Sequence, residues 1–136
     1  SIFMEAGNSG DFTDYHTLLY GHNMKNGSMF GLLKKYREEE FYPGNEFFTI
    51  YLQDRYLRYQ IFSVHTVSIT DPVYTIGFAP NQEFEDFVDR LNRQAWYETG
   101  IQAGGRDKIV TLSTCSSSDT IRYVVHAVMI EEVEFK

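Results

Sequence analysis

Residues 109–130 constrain the fold more than any other stretch. They read Ile-Val-Thr-Leu-Ser-Thr-Cys, then Ser-Ser-Ser-Asp-Thr-Ile, then Arg-Tyr-Val-Val-His-Ala-Val-Met-Ile. Both outer runs are rich in β-branched residues, which pack well on a pleated sheet and lose rotamer freedom in a helix. They predict two neighbouring strands with a short polar connection. The first strand ends at Cys115, the only cysteine of the chain, and the second opens at Arg122. A connection spanning 116–121 lets Cys115 and Arg122 share one face of the sheet. A thiol at the lip of one strand facing a guanidinium at the mouth of the next suits acyl transfer. The thiol is the nucleophile, and the permanently charged fork of arginine can stabilise an oxyanion. What this pair lacks is an acid or base.

The rest of the chain has the material to fold around these strands. Its 136 residues correspond to one domain, 1–136, and its 43% hydrophobic and 16% aromatic content supplies a core and argues against disorder. A net charge of −7 with no basic patch makes nucleic acid an unsuitable partner, and solubility accounts for the acidity. No apolar run approaches the ~20 residues that span a bilayer, and no signal peptide is visible. A lone cysteine cannot form an internal disulfide and is compatible with a free reactive thiol. Cys-x-x-Cys and His-x-x-x-His patterns are absent, so no metal site is expected. Gly104-Gly105 is too little for a phosphate loop, and no cofactor is expected.

Taken in order, residues 1–4 look like the tail of a strand, and 6–14 form a loop by their Gly, Asn and Asp content. Residues 15–20 make a compact strand that stops at Gly21-His22-Asn23, leaving His22 just beyond its end. A short amphipathic helix is expected over 28–37. Ser28 is its N-cap, Met29, Leu32, Leu33 and Tyr36 its apolar stripe, and Lys34, Lys35 and Arg37 suit its C-terminal dipole. Glu38, Glu39 and Glu40 read as solvated surface rather than metal ligands. After the turn Pro43-Gly44-Asn45, residues 46–52 and 56–69 read as two strands, and Thr70-Asp71-Pro72 breaks the second. Residues 73–78 are extended or loop. The clearest helix, near 82–96, opens at Pro80-Asn81 and repeats Phe84, Phe87, Val88, Leu91 and Ala95 on one side. Gly100 stops that segment, and the tail 131–136 extends the last strand. The total is about six strands and two helices: a mainly β domain, a closed barrel with helical insertions.

Four histidines could partner Cys115. His16 starts a strand, and His65 and His126 lie inside strands, where a histidine is more often packed or hydrogen-bonded than catalytic. His22 differs because it follows a strand and is flanked by Gly21 and Asn23. Cys115 by itself could be a small buried apolar residue. The polar run Ser116-Ser117-Ser118-Asp119 puts it at a rim and favours reactivity. Arg122 by itself would be a surface charge.

Four segments together carry a resemblance. Residues 17–30 read Thr-Leu-Leu-Tyr-Gly-His-Asn-Met-Lys-Asn-Gly-Ser-Met-Phe, 59–64 Tyr-Gln-Ile-Phe-Ser-Val, 111–115 Thr-Leu-Ser-Thr-Cys, and 122–127 Arg-Tyr-Val-Val-His-Ala. In this order they resemble class B sortases over nearly the whole chain, and Tyr-Gly-His with Thr-Leu-Ser-Thr-Cys is specific as a pair. The helix near 82–96 also fits, because class B members carry a helix before the cysteine strand. The resemblance implies a cysteine transpeptidase on the outer face of a Gram-positive membrane, reaching the membrane only through an anchor absent from this chain. It implies that Cys115 attacks the Thr carbonyl of a sorting signal, typically Asn-Pro-x-Thr-x, and forms a thioester. His22 would be the acid and then the base, and Arg122 would hold substrate and oxyanion. Tyr20, Ser113, Ile69 and Tyr74 match positions lining the substrate groove. The acyl group would pass to the amine of a peptidoglycan-precursor cross-bridge or of a pilin lysine.

Two departures accompany the resemblance. Family domains carry helices and strands ahead of the Ser-Ile-Phe-Met segment, so this chain is expected to be an N-terminally incomplete portion of the domain. The stretch from Cys115 to Arg122 is also short. The same residues could serve a simple cysteine peptidase. Alternatively, the chain could be a non-catalytic β-rich adhesion or assembly module with an inert Cys115.

Overall fold

The structure, a computed structural model, describes residues 2–22, 33–115 and 120–135. Six strands make one sheet: β1 (Ile2–Met4), β2 (His16–His22), β3 (Phe47–Tyr51), β4 (Arg55–Ser68), β5 (Ile109–Cys115) and β6 (Ile121–Glu134). Their order across the sheet is β1-β2-β5-β6-β4-β3. β2 and β5 are parallel and every other neighbouring pair is antiparallel.

The β-branched runs occupy the middle because central strands are covered on both faces and must be apolar on both. Val110, Leu112, Val124, Val125 and Ala127 are all buried. On one face Leu19, Val64, Leu112, Val125 and Ala127 pack with Tyr36, Tyr42, Leu57 and Tyr59. On the other, Phe62, Val67, Ile109, Val124 and Val128 pack against Phe84, Phe87, Val88 and Leu91 of α1 (Gln82–Gln94). These are four of the five stripe residues expected from the sequence; the fifth, Ala95, lies just past the end of the helix. Asn81 caps the helix, its side chain accepting from the Phe84 N–H at 3.3 Å. The helix ends at Gln94 with Ala95 in an extended conformation, short of Gly100. Residues 96–99 then cover the stretch of β4 that β3 leaves unpaired. The Trp96 N–H donates to the Val64 carbonyl at 3.0 Å and the Thr99 hydroxyl to the Phe62 carbonyl at 3.0 Å.

Four expectations need correction. First, the sheet of the described strands is not closed into a barrel. β1 and β3 are its edges: β1 has three residues and pairs only with β2, and β3 pairs only with the first part of β4. Second, the helix expected over 28–37 is, where described, a 3-10 helix at Leu33–Arg37; Ser28, Met29 and Leu32 lie outside the described residues. A bend at Glu38 ends this turn, and a second 3-10 turn follows at Glu39–Phe41. Third, β2 continues through Gly21 and His22, because parallel pairing with β5 carries it to the end of that strand. Fourth, residues 72–74 form a 3-10 turn with Pro72 in its first positions, and the Asp71 carboxylate accepts from the Val73 N–H at 2.9 Å. The final strand does run on, to Glu134.

Among the described residues no helix is long and apolar enough to cross a membrane.

Candidate active site at the ends of the central strands

Strand register brings the three singled-out positions together. His22 pairs with Cys115 in the parallel β2–β5 ladder, each the last residue of its strand. The antiparallel β5–β6 ladder ends at Thr114 opposite Tyr123, so one further step sets Arg122 across from Cys115. Residues opposite one another on adjacent strands project from the same face. Positions 22, 115 and 122 therefore form one row at the rim of the sheet. The side chains of His22 and Cys115, and residues 116–119, lie outside what is described. Arg122 is half-buried, and its Nη1 donates to the Ile121 carbonyl at 3.1 Å. Across β6 it pairs with Val67 of β4.

Two residues further into the sheet, on the same face, lie Tyr20, Ser113 and Val124. Tyr74 joins them from the turn after β4. Its hydroxyl lies 2.9 Å from Ser113 Oγ, and its ring stacks on that of Tyr20 with centroids 6.2 Å apart and planes at 9°. Burial pushes the Tyr20 phenol well above its ordinary value, and Glu5 adds to the effect. Tyr20 thus stays protonated and acts as a neutral hydrogen-bonding group. Of the four residues expected to line a groove, the structure brings Tyr20, Ser113 and Tyr74 together. Ile69 lies beyond the end of β4 with an exposed side chain, its N–H donating to the Thr120 carbonyl at 3.3 Å.

The remaining histidines are all buried. His126 is fully covered, and both its ring nitrogens are engaged: Nδ1 lies 2.7 Å from Thr111 Oγ1 and Nε2 2.8 Å from His65 Nε2. Burial, with the neighbouring His65 and His16, holds His126 well below the usual histidine range. His16 is driven down to about 4, again by burial. None of the three can reach a substrate at the rim. Taken singly in the sequence, these histidines give no sign that they are linked. Residues 16, 65, 111 and 126 come from four different strands, so no spacing in the chain announces their contact.

Comparison with known proteins bears on the whole arrangement. A family model described as Sortase domain matches residues 2–130. Sortase B of Listeria monocytogenes is 33% identical over 117 residues, covering 86% of this chain and 48% of that protein. Sortase B of Staphylococcus aureus is 31% identical, covering 96% of this chain and 55% of its own length. The chain thus spans about half the length of the curated relatives it matches. Among solved structures, Clostridium perfringens sortase B superposes with a TM-score of 0.84 at 29% identity, covering 96% of this chain and 73% of that one. The S. aureus sortase B–substrate complex gives 0.86 at 29%, covering 96% and 62%. A sortase B in complex with triglycine gives 0.86 at 28%, covering 96% and 63%. The chain belongs to the sortase family, and its relatives within that family are those of class B.

Proposed function

We propose that this chain is the catalytic portion of a cysteine transpeptidase, with Cys115 as nucleophile, His22 as acid and base, and Arg122 as oxyanion and substrate clamp. The observation that carries the reading is the register that aligns positions 22, 115 and 122 in one row. The Cys115 sulfur attacks the carbonyl carbon after the Thr of a sorting signal of the Asn-Pro-x-Thr-x type. The Arg122 guanidinium meets the charge that develops on the carbonyl oxygen. As the peptide C–N bond breaks, the leaving amine takes a proton from His22, and a thioester remains. An acceptor amine then attacks the thioester and gives a proton to His22. The new C–N bond forms, and the sulfur leaves as thiolate.

The burial of His16, His65 and His126 supports His22 as the acid–base group, because none of those three rings is accessible. The cluster of Tyr20, Ser113 and Tyr74 beside the row supports a peptide groove, with Ile69 at its outer end. The substrate and triglycine complexes of sortase B relatives support a peptide donor and an amine acceptor. The acceptor is a peptidoglycan-precursor cross-bridge or a pilin lysine, and the enzyme works on the outer face of the cell membrane. Anchoring surface proteins to the wall and joining pilin subunits are two uses of the same chemistry.

Intact-mass spectrometry of the full-length protein with a panel of sorting-signal peptides tests this reading. A thioester adduct on Cys115 that becomes ligated product when an amine is added is the expected result. An adduct that only hydrolyses, across all amines, indicates a peptidase. No adduct with any peptide, together with slow alkylation of Cys115, overturns the enzyme reading in favour of an inert surface module.

A further inference from the structure

The buried histidines form one hydrogen-bonded chain, and its far end grips the segment that carries Tyr74. From β4 to β2 the contacts run His65 Nε2 to His126 Nε2 at 2.8 Å, His126 Nδ1 to Thr111 Oγ1 at 2.7 Å, and Thr111 Oγ1 to His16 Nε2 at 2.7 Å. His16 Nδ1 then meets the Thr75 carbonyl at 2.7 Å. At the other end His65 Nδ1 lies 3.3 Å from the Thr66 carbonyl. All four residues project from the same sheet face as the row at the strand ends. Aromatic rings enclose the chain: Phe87 and Phe78 pack on His16 with ring centroids 4.9 and 6.3 Å away, and Phe62 lies 6.3 Å from His126.

Counting hydrogens gives the chain a direction. Three neutral imidazoles and one hydroxyl supply four hydrogens for five contacts. A carbonyl can only accept, so both ends of the chain call for a donating Nδ1 and only one can have it. The shorter contact, His16 Nδ1 to Thr75 at 2.7 Å, takes the hydrogen, leaving His16 Nε2 to accept from the Thr111 hydroxyl. Thr111 Oγ1 then accepts from His126 Nδ1–H, and His126 Nε2 accepts from His65 Nε2–H. The contact left without a hydrogen is His65 Nδ1 to Thr66, and it is the longest of the five. Every donor therefore points toward Thr75. Buried polar groups cost stability unless paired, and apolar side chains could fill this face instead. Thr75 is the only partner of the chain that lies outside the sheet strands.

We propose that His65, His126, Thr111 and His16 act as a positioning chain that holds the Thr75 carbonyl and thereby keeps Tyr74 against Ser113 and Tyr20 for peptide binding. This rests on the reading of those three residues as groove. The segment is held at both ends: Asp71 pairs with Arg90 of α1 at 3.3 Å, and Thr75 is held by His16. Those two charges are also the ones that act on His65, Asp71 favouring its cationic form and Arg90 opposing it. His16 is thus a positioning residue, acting on substrate through Tyr74, about 20 Å along the strand from the reacting row.

The test uses the full-length protein with His16→Leu, Thr111→Val, Tyr74→Phe and the double variant His16→Leu/Tyr74→Phe. Two readouts are taken: amide hydrogen exchange over residues 73–78, which needs no activity, and KM with kcat for peptide acylation. In His16→Leu, exchange over 73–78 should quicken about tenfold while β5 and β6 stay protected. KM should rise about tenfold with kcat within about threefold, and the double variant should be no worse than the poorer single one. Additive losses, or unchanged exchange in a folded His16→Leu protein, overturn the proposal. Should His16→Leu not fold, Thr111→Val breaks the chain one link away and should quicken the same amides by a smaller factor; unchanged exchange there also overturns it. Faster exchange in a protein that acylates no peptide upholds the positioning chain and refutes the transpeptidase reading instead.

Discussion

The two faces of the sheet solve the problem of burial differently. The face away from α1 is apolar at its centre, with Leu19, Leu112, Val64 and Val125, and the tyrosines packed on it pair their hydroxyls one by one with backbone carbonyls. The Tyr36 hydroxyl donates to the Asn45 carbonyl at 2.7 Å and the Tyr42 hydroxyl to the Ile61 carbonyl at 2.8 Å. The face under α1 carries polar groups through its middle: the histidine chain, and Ser63, whose hydroxyl donates to the Leu91 carbonyl at 2.7 Å. An apolar layer stabilises without direction and tolerates shape-conserving change. A polar layer must be satisfied contact by contact, so it ties strands, helix and the Tyr74 turn into one geometry. The face that carries the row at positions 22, 115 and 122 is the polar one. This contrast predicts that substitutions on the two faces will fail in different ways.

The largest effects belong to the row itself. Cys115→Ala should abolish acyl-enzyme formation in the full-length protein. His22→Ala and Arg122→Ala should each lower kcat/KM by about 10²–10⁴, the scale of a lost acid–base or oxyanion group. Near-full activity in a folded Arg122→Ala protein would remove that residue from the mechanism. His126→Ala should cost stability far more than chemistry, and an equal chemical loss there would mean that the acid–base histidine has been misassigned. On the apolar face, Leu112→Ala should destabilise by about 2–5 kcal/mol through lost burial and a cavity, measured by urea unfolding. Its folded fraction should keep kcat. A fall in kcat with little change in stability would show that the two faces are not separable in this way.

Much of this arrangement is legible in the chain alone. The 109–115 and 121–134 strands declare themselves through consecutive β-branched residues, because strands covered on both sides have no polar face to hide their period. α1 is legible from its cap and stripe. The pairing of His22 with Cys115 was not, because it depends on β2 running through Gly21 and His22, two residues that carry no strand preference of their own. Tertiary pairing decided where β2 ends. The lack of closure among the described strands is hidden for the same reason: closure depends on which edges bond, and β1 and β3 read as ordinary strands. The resemblance puts position 74 in a groove, but its hydrogen bond to Ser113 depends on the fold of the 72–75 turn.

Acid should separate the two faces next. Burial holds His16 at about 4, against an ordinary histidine value near 6.5. The unfolded chain therefore takes up a proton near pH 6.5 that the folded chain refuses. Stability from this group is complete above pH 6.5 and is lost as pH falls through about 4, at a total of about 3 kcal/mol. His65 and His126 are lowered too and act in the same direction. Urea midpoints measured between pH 7 and pH 4 should therefore fall steeply in the native protein and less steeply in His16→Leu. Leu112→Ala should lower the whole curve without changing its slope. Parallel curves for native and His16→Leu proteins would show that His16 takes up its proton as readily folded as unfolded.

The smallest effect should come from a place where the apolar face buries an unpaired polar atom. Thr114 is buried on that face beside Cys115, and among the described residues its Oγ1 has no hydrogen-bond partner. Leaving a buried hydroxyl unpaired costs about 1–3 kcal/mol, so a methyl in its place removes a penalty and breaks no contact. Thr114→Val should be neutral or stabilising by about 1 kcal/mol. Thr111→Val changes the same atoms earlier on the same strand, but there Oγ1 bridges His16 and His126, and the substitution should destabilise by about 1–3 kcal/mol. The same chemical change on one strand should thus have opposite signs on its two faces. Equal destabilisation by both, measured by urea unfolding, would mean that Thr114 has a partner that stabilises it, and that the polar and apolar faces differ less than their contacts imply.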